Sequence, residues 1–125
     1  MQVDISIGEL VDKVSILKIK SRKIQDPGKL KNIQHELQLL NQKMESTGIT
    51  VQSPEFRKLE NINTALWDIE DRIRMKEAAQ SFDHEFIQLA RSVYFQNDER
   101  AAVKREINTE YGSDIIEEKL YASYK

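Results

Sequence analysis

The 125-residue chain has no cysteine. Disulfides, thiolate metal sites and a cysteine nucleophile are therefore excluded, and a reducing compartment fits. Only four glycines and two prolines occur. No glycine-rich phosphate loop can be assembled from them, and no serine has the surroundings of a catalytic nucleophile. No apolar run approaches the ~20 residues that cross a bilayer as a helix. Charge of one sign is also missing in bulk: the net charge is -2, so overall electrostatics do not point to nucleic acid. Met1-Gln-Val-Asp-Ile5 lacks a basic region followed by a long apolar stretch, so no signal peptide is expected and the expected location is cytoplasmic.

What is present is charge of both signs, 32% of the residues. With so few breakers, that composition suits long helices with solvated faces. The length predicts one domain, residues 1–125, that buries roughly two-thirds of its unfolded surface.

Helix starts are legible. Ser6 and Glu9 have capping-box spacing, with Ile5 and Leu10 placed as a staple. Leu10, Val14, Leu17 and Ile24 follow at helical spacing; Ile16 and Ile19 fall off that stripe and imply a second covered side. Asp26-Pro27 is a capping carboxylate followed by proline at the first helical position. Leu30, Ile33, Leu37, Leu40 and Met44 form the next stripe, closed by Gly48. Ser53-Pro54 repeats the device, and a third helix to about Ala79 carries Leu59, Ile62, Leu66, Ile69 and Ile73. Ser81 or Asp83 predicts the start of a fourth helix, Asn97 or Asp98 that of a fifth, and Gly112-Ser113 a break before a short last helix with Ile115, Ile116 and Leu120. The expected fold is all-α: a long, coiled-coil-like antiparallel hairpin packed on a third long helix, with two or three short C-terminal helices. No strand-like alternation of useful length and no internal repeat occurs.

Two constellations carry possible chemistry. Asn63, Trp67, Glu70 and Arg74 stand at i, i+4, i+7 and i+11 of the third helix, one above another, with Asp71 adjacent. They form packing with an ion-pair rim, a ligand wall with a stacking ring and an anion-binding guanidinium, or a dimer interface. The second is Arg91, Tyr94, Arg100, Lys104 and Asn108, with Ala101 and Ala102 leaving room for close approach. Arginines recognise carboxylate or phosphate in two-pronged fashion. The plainer reading is an ionic network joining Arg91, Arg100 and Arg105 to Asp71, Asp98 or Glu106. The two sets would face each other across one crevice.

Other signals are weaker. Lys13, Lys18, Lys20, Arg22, Lys23, Lys29 and Lys31 oppose Asp26 alone, but no aromatic residue is interleaved to stack on bases, so a solvated basic end is expected rather than a nucleic-acid surface. His35 and His84 lack a second histidine at i+4, so the zinc-protease pattern fails. Asp68-x-x-Asp71 gives one carboxylate pair; all-helical nucleotide pyrophosphohydrolases need two such pairs for magnesium.

Ile5-Ser-Ile-Gly-Glu-Leu-Val-Asp-Lys13, Leu66-Trp-Asp-Ile-Glu-Asp-Arg-Ile-Arg74, Leu89-Ala-Arg-Ser-Val-Tyr94 and Asn97-Asp-Glu-Arg-Ala-Ala-Val-Lys-Arg-Glu-Ile-Asn108 resemble a family of short bacterial proteins known only as a domain of unknown function. The resemblance covers nearly the whole chain and implies no activity.

The functional expectation is a non-enzymatic helical module that self-associates, for example as a homodimer, or docks on a protein partner. Ile16, Ile19 and Leu39 are apolar surface beyond one stripe per helix and need cover. The alternative is a binder of, or enzyme for, an anionic phosphate or carboxylate metabolite. No cofactor, metal, nucleic-acid partner or membrane span is expected.

Overall fold

Ser6 starts α1 (Ile7–Lys23), its side-chain oxygen accepting from the Glu9 N–H at 3.0 Å. Asp26 caps α2 (Pro27–Glu45) by accepting from the Lys29 N–H at 2.9 Å. Gly48, at φ 96°, turns the chain after α2, a conformation other residues adopt at a cost. α3 (Pro54–Ala78) begins on its proline, but Ser53 does not cap it; the Ser53 hydroxyl accepts from the Thr50 N–H at 2.9 Å and shapes the preceding turn instead. Asp83 caps α4 (His84–Glu110), accepting from the Phe86 N–H at 3.0 Å. The computed structural model describes residues 1–124, and among them it contains these four helices and no strand.

The fold is all-α. Its C-terminal part differs from the expected set of short helices. α4 runs unbroken through Asn97 and Asp98 for 27 residues. A capping residue ends nothing unless the chain leaves helical dihedrals. No glycine or proline stands between His84 and Glu110, and α3 offers a packing surface alongside. The expected last helix at Ile115, Ile116 and Leu120 does not form; residues 113–124 have no regular structure. Side-chain anchors hold this tail along α4. Ser113 accepts from the Ile7 N–H at 3.0 Å, Glu117 from Ser6 Oγ at 3.1 Å and Glu118 from Arg105 at 2.8 Å, and the Tyr124 hydroxyl donates to Asp98. Gly112, at φ 64°, makes the turn into it.

α1 is the central helix. It packs on α2, α3 and α4, whereas α2 packs on α1 alone among the helices, and α3 and α4 form an antiparallel hairpin. That centrality explains the off-stripe isoleucines: Ile19 is 1% exposed and Ile16 half-buried. Val11, Val14, Met44, Ile49, Phe56, Leu59 and Ile107 form the core. With 25 and 27 residues against 17, the α3–α4 hairpin outreaches α1 by on the order of 10 Å at ~1.5 Å per residue. Burial fades beyond the end of α1, from Leu59 and Ile62 to half-buried Ile69 and Ile73 and exposed Phe82 and Ile87.

Candidate functional site

The conspicuous polar residues of α4 meet α1, not α3. α1 runs antiparallel to α4, and successive turns are joined by a ladder. Asn108 Oδ1 accepts from the Gly8 N–H at 2.6 Å; Lys104 Nζ donates to Glu9 at 2.6 Å; Arg100 Nη2 and Nε donate to Asp12 at 2.6–3.1 Å. Asn63 of α3 adds two donor bonds of 2.8 Å, to Asp12 and to Ser15 Oγ. Asp12 is 1% exposed. Such a carboxylate needs its oxygens engaged, and two residues do so here: Arg100 through two nitrogens and Asn63 through its amide. Burial works against the charge of Arg100, but hydrogen bonding and the opposite charge of Asp12 outweigh it, holding the guanidinium above its ordinary value. The helices touch where Gly8 lies: a Cβ added there would stand 2.5 Å from the Lys104 carbonyl oxygen.

An ionic network therefore exists, with partners other than those expected. Arg100 pairs with Asp12 rather than Asp71, and Arg105 with Glu118 rather than Glu106. Arg91 lies over the Phe95 ring at 5.8 Å and pairs with no carboxylate among the described residues. Asp98 is taken by Tyr124. On the basic run, Arg22 reaches Glu60 at 3.3 Å, Lys23 reaches Asp68 at 3.7 Å and Lys18 lies 5.7 Å from the Phe56 ring centre.

Beyond this ladder, beside the C-terminal half of α1, an open crevice of about 480 Å³ forms between α1, α3 and α4. Ile16 and Ile19 of α1 and Leu66 and Trp67 of α3 wall it. Asn63 and Arg100 lie at its base, where they join the Asp12 cluster, and Asn97 contributes from α4. Glu70, Asp71 and Arg74 complete it from the exposed side of α3. These three have no hydrogen-bond or ion-pair partner among the described residues. A smaller hollow of about 160 Å³ adjoins it between α4 and the tail, lined by Asn97, Arg100, Ala101, Lys104, Lys119 and Tyr121.

Of the residues singled out by sequence, Asn63, Trp67, Glu70, Arg74 and Arg100 lie together in the crevice. Lys104 and Asn108 are buried in the ladder. Arg91 and Tyr94 lie elsewhere, on an exposed face where Tyr94 packs against Phe95 and Tyr124 with ring centres 4.8 and 5.0 Å away. Sequence reasoning missed Gly8, Asp12 and Ser15. Their signal was present: small or polar residues in a segment otherwise rich in apolar ones mark a helix buried on more than one side. Among the described residues no three histidines or carboxylates are placed to hold a metal ion, and no helix is long and apolar enough to cross a membrane.

The fold and site define a class: a four-helix protein whose central helix is locked by a buried polar ladder and flanked by a mixed-charge crevice. The chain belongs to the family described as "Family of unknown function (DUF6165)", whose model matches residues 1–124. No curated protein and no solved structure matches it.

Proposed function

We propose that this chain is a non-enzymatic binding module that holds a protein partner in the crevice between α1, α3 and α4. One observation carries the reading. The crevice combines an indole and three aliphatic walls with charged groups, Glu70, Asp71 and Arg74, that have no partner among the described residues, whereas the cations suited to a small anion, Arg100 and Lys104, are matched inside the fold. An aromatic anchor within an apolar patch and a polar rim is the anatomy of a protein-binding hot spot. Ile19 no longer motivates self-association, being buried within one copy; Leu39 remains 50% exposed on α2. The test is quantitative. A partner captured on the immobilised chain is identified and titrated against variants. Trp67→Ala should weaken binding by roughly tenfold or more, the loss of a hot-spot side chain, and Leu39→Ala should leave it unchanged. Equal affinity for the wild type and Trp67→Ala would remove the proposal.

A second reading has one observation in its favour: Arg100, Lys104 and Lys119 converge on the smaller hollow. It holds that a phosphate or carboxylate metabolite binds there. Added ligand should then raise the melting temperature with concentration, and Lys119→Gln should abolish the rise.

A further inference from the structure

We infer that the crevice accepts a cationic side chain, a lysine or arginine presented by the partner. The inference rests on the crevice being the binding surface and adds the chemistry of what fills it. Four charged residues line the crevice: Glu70, Asp71, Arg74 and Arg100. Arg100 is cancelled by the buried Asp12 carboxylate it grips with two nitrogens. Two carboxylates then face one guanidinium, a net charge of -1 on the groups that can still respond. Asp68, one turn earlier on α3, is already engaged by Lys23 and adds no free charge.

Beside these carboxylates stands the indole of Trp67, the aromatic face that attracts a cation best. Ile16, Ile19 and Leu66 suit the methylene stem of lysine or arginine, which lies along apolar surface while its head stays polar. A bare small cation would leave those walls wetted and gain nothing from them. An anion would meet Glu70 and Asp71 with only Arg74 in its favour. The electrostatics of this crevice thus run opposite to those expected from the arginines of the sequence, because the fold spends Arg100 and Lys104 on α1.

The chain's single tryptophan lies in the crevice, so its fluorescence reads the site directly. The probes are a short blocked peptide alternating glycine and arginine, the same peptide with glutamate in place of arginine, and spermidine. The arginine peptide should change Trp67 emission saturably, in the millimolar range for one cation–π contact and two exposed ion pairs. The glutamate peptide should not. Glu70→Gln and Asp71→Asn should each weaken the arginine peptide roughly two- to fivefold. Arg74→Gln should tighten it, since a like charge is removed. Circular dichroism checks that each variant folds. Saturation by the glutamate peptide, weakening by Arg74→Gln, or no response to either peptide overturns the inference. Spermidine binding as tightly as the arginine peptide overturns the side-chain form of it. Any of these results leaves the partner's sensitivity to Trp67→Ala intact, so failure of the inference and failure of the binding-module reading are separable.

Discussion

Asp12 shows how one residue organises this protein. It is buried among apolar neighbours on the central helix, and Arg100, Asn63 and their shared contacts supply what its charge requires. Removing it leaves the Arg100 guanidinium without its carboxylate and the Asn63 amide with Ser15 Oγ alone. Asp12→Ala should destabilise the fold by about 2–3 kcal/mol. That is somewhat below the ~3–5 kcal/mol of a fully buried pair, because Arg100 keeps access to water. Urea unfolding measures it, and a loss below about 0.5 kcal/mol would show the pair to be incidental. Gly8 gives a test of sign. Helix propensity alone makes Gly8→Ala stabilising by about 1 kcal/mol. The 2.5 Å approach to the Lys104 carbonyl makes it destabilising instead, by about 1–3 kcal/mol as backbones are forced apart. A raised melting temperature in that variant would mean the two helices do not meet as described.

At the scale of elements, starts were legible and ends were not always. Ser6, Asp26 and Asp83 each accept from a backbone N–H three residues on, a local device that sequence spacing encodes fully. Asn97 and Asp98 have the same chemistry, yet the helix runs through them. Whether such residues end a helix depends on what packs alongside, and that is tertiary information. The cap of α4 carries its own pH signature. The Asp83 carboxyl is pushed down to about 2 from 3.8, first by the hydrogen bond from Lys76 and next by that from the Phe86 N–H. A depressed carboxyl stabilises the folded state only while ionised there. Its contribution is therefore complete above about pH 4 and is lost as pH falls through about 2. Amide exchange at Phe86, followed over that range, should lose protection in step. Unchanged protection down to pH 2 would contradict the cap's role.

At the scale of the whole molecule, the sequence displayed which side chains were unusual but not which surfaces would meet. Trp67 and Arg100 were recognisable as candidates and do share a crevice. The partner of Arg100, however, lies 88 residues away on α1, and helical periodicity specifies faces, not neighbours. That missing link reverses the electrostatic reading: a cluster that looks cationic along the chain becomes a neutral ladder once folded, and of the crevice charges without a partner among the described residues Glu70 and Asp71 are negative and Arg74 positive. The proposed binding has a definite place in this architecture. The crevice sits beside the C-terminal half of α1, and the ladder lies along its N-terminal half.

Chemical-shift mapping on the labelled protein, titrated with the alternating glycine–arginine peptide, tests this division most directly. The Trp67 indole N–H and the backbone amides of Asn63, Leu66, Glu70, Asp71 and Arg74 should shift, with Asn97 and Arg100 responding at the edge, while the Gly8 amide stays still in its bond to Asn108. Shifts centred on Gly8, Lys104, Asn108 and the tail, with Trp67 unmoved, would contradict the account.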